Sequence, residues 1–389
     1  MFEFADRIKA LPPYLFIEVD NMKRKTLDEG VDIINLGVGD PDLPTPEIIR
    51  EAMKRAIDNP ENHQYPLGKG KKKFRRAVGK FMEKRFSLEL NPATMIHPLI
   101  GSKEGVAHFP LAFVNPGDLT LVAEPSYPVY NSGTIFSGGT PYFIPLKEEN
   151  SFLPDWDAVP GDIKDKAVML YINYPNNPTG AAATEEFFIQ TVEMAKKHNI
   201  IVLHDAAYSE MYYKEAPLSF LNIEGAMDVA VELHSFSKTF SMTGWRIGWA
   251  CGNEKLIKGL AAVKDNTDSG VFGAIQEAAV TAVENYDELV PPAVETYRKR
   301  METMAAGLKE LGWQVKEPEA TFYLWTKPPN GIDSIEAVKK IIKEAGIICT
   351  PGSGFGDSGA GYVRFALTRD IGRIKEALKR LGSLKWEIQ

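Results

Sequence analysis

The residue pattern predicts an α/β chain in two parts, a larger one built on a mostly parallel sheet and a smaller α+β one after it. Three observations carry this. Short apolar runs at Leu119–Ala123, Ala167–Asn173, Ile200–His204 and Val229–Ser235 have the length of buried strands. Amphipathic stretches separate them; in Thr184–His198, Phe187, Phe188, Val192 and Ala195 recur at helical spacing. Buried strands alternating with helices mark a parallel sheet covered on both faces. Finally, 389 residues exceed what one small core needs and allow two or three domains.

Taken in order, residues 1–45 are irregular and proline-rich (Leu11-Pro-Pro-Tyr, Asp40-Pro-Asp-Leu-Pro-Thr-Pro). They read as an arm that packs on the tail domain. The strand–helix alternation fills 46–284, the expected large domain. From 285 to 389 the pattern changes: a long charged helical stretch (Asp287–Leu311), a strand-like Thr321–Thr326, a helix at Ser334–Ala345 and an apolar strand at Tyr362–Leu367. No repeat of 20–50 residues is present. Two domains with a cleft between them are the plan of an enzyme.

Composition removes other classes. Apolar residues at 44% and charged ones at 25% are ordinary globular values, which excludes disorder and low-complexity scaffolds. Lys+Arg 45 against Asp+Glu 52 leaves a net charge of −7, and the one basic run is Lys69-Gly-Lys-Lys-Lys73 with Arg75 and Arg76. That run reads as a solvated helix start, so no nucleic-acid partner is expected. Two cysteines and six histidines without HExxH spacing point to no metal. No apolar run approaches a membrane span of about 18 residues, and the acidic start has no signal core, so the cytoplasm is expected.

The residues with chemistry follow the apolar runs. Ser235-Phe-Ser-Lys-Thr-Phe-Ser-Met-Thr-Gly-Trp-Arg246 places Ser235, Ser237 and Lys238 at a strand's end, where α/β sheets carry their sites. A lysine flanked by hydroxyls, with Arg246 eight residues on, suits a carbonyl cofactor that bears a phosphate. Desolvation frees the amine for Schiff-base chemistry, while serines and arginine grip the dianion. A surface lysine beside a serine-rich turn is the plainer account. Asp205-Ala-Ala-Tyr208 puts a carboxylate where it can keep a pyridine nitrogen protonated, as pyridoxal phosphate needs; an Asp capping the next helix is the alternative. Asn173-Tyr-Pro-Asn-Asn-Pro-Thr-Gly180 is a stiff loop presenting Asn177, or simply a connection. Ile100-Gly-Ser-Lys-Glu-Gly105 opens a helix whose free N–H groups suit phosphate, without the spacing of a Walker loop. Tyr127, between Pro125 and Pro128, offers a face for a planar ring or ordinary packing. Arg364 lies in an apolar strand and needs a partner, either a substrate carboxylate or a salt bridge. Pro351-Gly-Ser-Gly-Phe-Gly356 opens no helix and reads as a mobile turn rather than a dinucleotide fingerprint.

In order and spacing, these stretches resemble the class I/II aminotransferases of fold type I, over essentially the whole chain from Leu36-Gly-Val-Gly-Asp-Pro-Asp42 to Arg364. The resemblance implies an α/β fold with a mostly parallel seven-stranded sheet and a small α+β domain. It also implies pyridoxal 5′-phosphate, amino-acid and 2-oxo-acid substrates, and a homodimer with active sites at its interface. By it, Lys238 would be the Schiff-base lysine, Asp205 would face the ring nitrogen, and Asn177 and Tyr208 would face the phenolate oxygen. Tyr127 would stack on the ring. Ser102, Lys103, Ser235, Ser237 and Arg246 would surround the phosphate, and Tyr65 would reach a phosphate across the interface. Arg364 would bind the substrate's α-carboxylate, with Tyr127 and Asn177 beside it.

Within that family the chain is most similar to the LL-diaminopimelate aminotransferases, through Leu11–Phe16, Gly101–Gly105, His204–Glu210 and Asn266–Phe272. That implies substrate contacts by Tyr14, Gly39, Lys103 and, from the neighbouring subunit, Asn266. The implied reaction moves an amino group from LL-2,6-diaminopimelate to 2-oxoglutarate, giving tetrahydrodipicolinate and glutamate in lysine biosynthesis. Aspartate enzymes of the family meet the side-chain carboxylate with a partner arginine, and here the matching stretch has only Lys258 and Lys264 nearby. One departure stands out: where some diaminopimelate enzymes have a glutamate three residues after the interface tyrosine, this chain has Gly68. Relatives act on alanine, aspartate, glutamate or aromatic amino acids, and the same fold hosts C–S lyases. A regulator's effector domain would carry a helix-turn-helix module ahead of Leu11, where no room for one is expected.

Overall fold

The computed structural model describes residues 2–12, 24, 30–66 and 68–386. After β1 (Ile34–Asn35) come the strands of the main sheet: β2 (Ile96–Leu99), β3 (Leu119–Glu124), β4 (Thr140–Pro145), β5 (Ala167–Ile172), β6 (Ile201–Asp205), β7 (Ala230–Ser235) and β8 (Gly248–Gly252). They lie in the order β2-β8-β7-β6-β5-β3-β4. Only β8 opposes its neighbours; β7, β6, β5, β3 and β4 pair in parallel. The fold is thus α/β with a mostly parallel seven-stranded sheet.

Both faces of that sheet are covered, which is why its strands read as unbroken apolar runs. Leu121, Leu170 and Val202 face one cluster, with Phe74, Phe81, Phe187 and Phe188 from the helices Lys72–Phe86 and Glu185–His198. Their neighbours Val122, Tyr171 and Leu203 face the other, with Val106, Val129 and Leu260. At ~25 cal/mol per Å² of apolar surface, each large side chain buried this way contributes about 1.5–3 kcal/mol. Thr184 starts its helix as a cap, its Oγ1 accepting from the Phe187 N–H at 3.1 Å, and Asn199 ends it with φ +55°.

Two polar residues stand in the middle of β7. Glu232 is fully buried and accepts from His204 Nδ1 (2.8 Å), His234 Nε2 (2.7 Å), Ser219 Oγ (2.8 Å) and the Phe220 N–H (2.9 Å). Burial alone would raise its carboxyl; the two imidazole donors outweigh that and hold it well below the usual carboxylate range.

The smaller sheet contains β9 (Gln314–Val315), β10 (Tyr323–Lys327), β12 (Thr350–Pro351) and β13 (Val363–Ala366), all antiparallel in the order β12-β13-β10-β9. Leu324, Phe365 and Trp313 pack there against Met304 and Leu308 of the long helix Tyr286–Glu310. β1 pairs in parallel with β11 (Ile347–Ile348), and Asp42 accepts from Arg300 Nη1 at 2.6 Å and Nη2 at 2.9 Å. These contacts pin the described end of the N-terminal arm.

Two elements depart from the sequence reading. The run beginning at Thr321 becomes strand only at Tyr323, because Thr321 adopts φ +68°. The turn at Pro351–Gly356, read as mobile, is tied to the main sheet's loops. Ser126 N–H donates to the Phe355 carbonyl at 2.8 Å, and just beyond it Glu124 accepts from the Ser358 N–H at 3.0 Å. Among the described residues no helix is long and apolar enough to cross a membrane.

One glycine links fold to cleft. A Cβ at Gly248 would fall 2.5 Å from the His234 carbonyl and 3.1 Å from the Ser102 nitrogen. Gly248→Ala should therefore push β8 off β7 and cost about 1–3 kcal/mol, read as a lower urea midpoint of the intact chain.

Candidate active site

The strand ends of the main sheet open into a cleft of about 660 Å³. Of the residues expected from sequence, Gly39, Ser102, Lys103, Tyr127, Asn177, Asp205, Tyr208, Ser235, Ser237, Lys238, Arg246 and Arg364 line it. Most come directly after strands: Ser102 and Lys103 after β2, Tyr127 after β3, Asn177 after β5, Asp205 and Tyr208 at the end of β6, and the serines with Lys238 at the end of β7.

One end is a cup of donors. Ser235 lies opposite Gly248 in the β7–β8 ladder, and its Oγ accepts from the Ser237 N–H at 3.2 Å. Arg246 is held by the Thr243 carbonyl at 2.8 Å and the Ile100 carbonyl at 3.4 Å. Gly101, with φ +75°, must lack a side chain, since a Cβ there would lie 2.4 Å from Arg246 Nη2. Lys103 stands at the mouth, 6.0 Å from the centre of the Tyr127 ring. Three hydroxyls and two cations facing one space suit a dianion.

At the other end Asp205 is buried. Tyr130 donates to its Oδ2 at 3.0 Å and the Ala207 N–H reaches Oδ1 at 3.3 Å. Burial raises its carboxyl above the usual value, opposed by the Tyr130 hydroxyl and then by the Ala207 N–H. Each oxygen keeps a lone pair for a further donor. The chain turns after Asp205 instead of starting a helix, so this carboxylate is no helix cap. Sequence reasoning missed Tyr130, although it lies three residues after Tyr127, a spacing that shares a helix face.

Between the two ends stands Lys238, half-buried, its Nζ donating to the Gly39 carbonyl at 2.7 Å. Burial pulls its ammonium down to about 8, helped by Arg246 and Arg364 and opposed by Asp40. A neutral amine is thus available near neutral pH.

Arg364 comes from the small sheet and is 1% exposed. Its Nη1 donates to Asn177 Oδ1 at 2.8 Å and its Nη2 to the Gly37 carbonyl at 2.7 Å. The guanidinium lies 4.3 Å from the ring centre of Tyr323 and 4.6 Å from that of Phe355. Neither aromatic was legible as a site residue, because only the ladder between β10 and β13 and the turn beside it set them next to Arg364.

Three expected residues lie elsewhere. Tyr65 is 81% exposed, and Asn266 is exposed at the end of the helix Glu254–Asp265; neither lines the cleft of its own chain. Their stretches are neighbours, since the Pro66 carbonyl lies 2.9 Å from where a Cβ on Gly270 would be. Tyr14 lies outside the described residues. Gly68 has φ +67° with open space around it, a backbone that favours glycine over glutamate. Lys264, considered as a cation for a substrate carboxylate, is 2% exposed and already paired with Glu104 at 2.7 Å and Asp268 at 3.0 Å. Glu104, His108 and Asp268 lie within metal-ligand reach of one another, but the Lys264 ammonium is bonded to both acids.

The donor set tests well against a group carrying a phosphate, a basic ring nitrogen and a carbonyl carbon: a cationic hydroxyl-rich cup, a buried carboxylate, and an amine between them.

The family model described as aminotransferase class I and II matches residues 31–381. The chain is 54% identical over 386 residues to an LL-diaminopimelate aminotransferase of Aquifex aeolicus, covering 99% of this chain and 100% of that protein. It is 50% identical to one of Nitratidesulfovibrio vulgaris, covering 98% and 99%. A substrate-bound BacF structure from Bacillus subtilis superposes with a TM-score of 0.95 at 36% identity, covering 98% of each chain.

The amine's setting can be checked in the cofactor-free chain. Acetylation of Lys238, followed by mass spectrometry across pH, should show a midpoint near 8. Asp40→Asn should move it down and Arg246→Gln up; a midpoint at the ordinary 10.5 would mean a solvated ammonium.

Proposed function

The chain belongs to the aminotransferase class I and II family, and from that premise we propose that it uses pyridoxal 5′-phosphate to transfer the amino group of LL-2,6-diaminopimelate to 2-oxoglutarate. The 54% identity to a diaminopimelate enzyme over the full length carries the substrate reading. The donor set of the cleft supports the cofactor. In this reading residues 46–284 form the large domain, and 285–389 with the arm 1–45 form the small one. Two copies assemble in the cytoplasm so that Tyr65 and Asn266, on neighbouring exposed stretches, face the other copy's cleft.

When bound, the cofactor supplies a carbonyl for the substrate amine and a protonated ring that withdraws electrons from its Cα. Ser102, Lys103, Ser235, Ser237 and Arg246 hold the phosphate, and Tyr127 covers the ring. Asp205 accepts the ring N–H and keeps that proton in place, its charge supported by the Tyr130 hydroxyl. Tyr208 and Asn177 face the phenolate oxygen. Arg364 binds the substrate α-carboxylate with the two Nη groups now held by Asn177 and the Gly37 carbonyl, exchanging neutral acceptors for a charged one. Lys238 Nζ, neutral above about 8, takes the proton from the substrate Cα and carries it. The Gly39 carbonyl aims that amine. Because Arg364 and Lys238 belong to different domains, carboxylate capture draws the two together.

Lys238→Ala should keep the fold and lose transamination by roughly a thousandfold or more; wild-type turnover in that variant would remove the assignment. Substrate choice is read in half-reactions, by loss of the cofactor's visible band on adding single amino acids. Fast conversion is expected with LL-diaminopimelate and glutamate, and slow conversion with aspartate, alanine and phenylalanine. The reverse order would discard diaminopimelate while leaving the transaminase.

A further inference from the structure

Tyr323 opens β10 in the small sheet and is buried, yet its hydroxyl lies 2.8 Å from that of Tyr208 beyond the end of β6. Its ring lies 4.3 Å from the Arg364 guanidinium. Its third neighbour is Gly39: a Cβ there would fall 1.8 Å from the Tyr323 hydroxyl oxygen. The carbonyl of that same glycine holds Lys238 Nζ at 2.7 Å. A single side chain therefore meets the arginine of one sheet, a tyrosine of the other, and the backbone that aims the amine.

We propose that Tyr323 is a positioning residue that couples carboxylate capture at Arg364 to the orientation of the Tyr208 hydroxyl. The inference rests on the reading of the cleft as a pyridoxal 5′-phosphate site. Two hydroxyls 2.8 Å apart share one hydrogen bond, so only one of them donates to the other. With Tyr323 as donor, the Tyr208 proton is released to face the cleft and the phenolate oxygen. A cation against a ring face is held by the ring's quadrupole, so the same side chain steadies the guanidinium. Tyr208 and Tyr323 sit on different sheets, and hydrogen bonds weaken steeply with misalignment. The Tyr208 hydroxyl is thus fully aimed only while the two sheets are apposed as they are when Arg364 faces the cleft. Gly39 is a glycine for the same reason: any side chain there would occupy the place of the Tyr323 hydroxyl.

Tyr323→Phe deletes the hydroxyl and leaves the ring against Arg364. In the holoenzyme, KM for LL-diaminopimelate should stay within about twofold while kcat falls about tenfold, the worth of one hydrogen bond at the reacting group. The pH midpoint of the visible band should rise, because a donor to an anionic oxygen favours the anion and that donor is now misaimed. Tyr323→Leu removes the ring as well, and KM should rise about tenfold. A readout without cofactor comes from the thermal midpoint of the apo chain. Gly39→Ala should lower it in the wild-type background and clearly less in Tyr323→Leu, since both changes address one space. Wild-type kcat and an unmoved band in Tyr323→Phe, or additive midpoints in the cycle, would overturn the proposal. If the wild-type chain forms no visible band with pyridoxal 5′-phosphate, the cofactor reading fails and takes this inference with it; a normal wild-type band with an unmoved Tyr323→Phe band sinks this inference alone.

Discussion

Parallel strands all finish on the same edge of a sheet, and here that constraint assembles the cleft. Residues far apart in the chain are delivered to one rim because β3, β5, β6 and β7 point the same way, and β2, opposed only to the antiparallel β8, points with them. β8 enters from that rim, so Arg246, just before it, joins the same edge. No local preference of the loops could gather these groups. The sheet's direction does, and the burial of both its faces holds that direction.

The second theme is how charge is kept inside. Asp205 has a tyrosine and a backbone donor, Glu232 two imidazoles, and Lys264 two carboxylates. Such groups are tolerated because their partners are already in place. Lys238 differs: a carbonyl holds its ammonium, and a carbonyl balances a buried cation poorly. The one amine allowed to shed its proton easily is the one that stands between the phosphate cup and the buried carboxylate.

Much of this was legible in the sequence. Fully buried strands have an unmistakable pattern, and reactive residues come straight after them, so Asp205, Lys238 and the serines were found from position alone. What escaped depended on apposition. Tyr323 and Phe355 matter because the small sheet faces the large one, and no spacing within either segment encodes that. Lys264 looked available because sequence shows a charge and not its burial. Tyr65 and Asn266 were named by resemblance, and one chain shows them only on neighbouring stretches of its surface. Thr321 and Gly68 show the opposite case, where a left-handed backbone overrides the expected strand or the expected acid.

The Lys264 cluster also bears on how this protein can change over generations. Glu104 lies in the first turn of the helix after the Gly101 loop, and Asp268 lies in the turn after Asn266. Their shared cation therefore bolts the floor of the cup to the outward-facing loop. Losing any one of the three charges strands the others in a poorly solvated place, at a cost on the order of 3–5 kcal/mol. Substitution at these positions must then proceed by simultaneous exchange, or not at all. Drift that would freely remodel an ordinary surface loop is, at this corner, constrained by a helix facing the cleft.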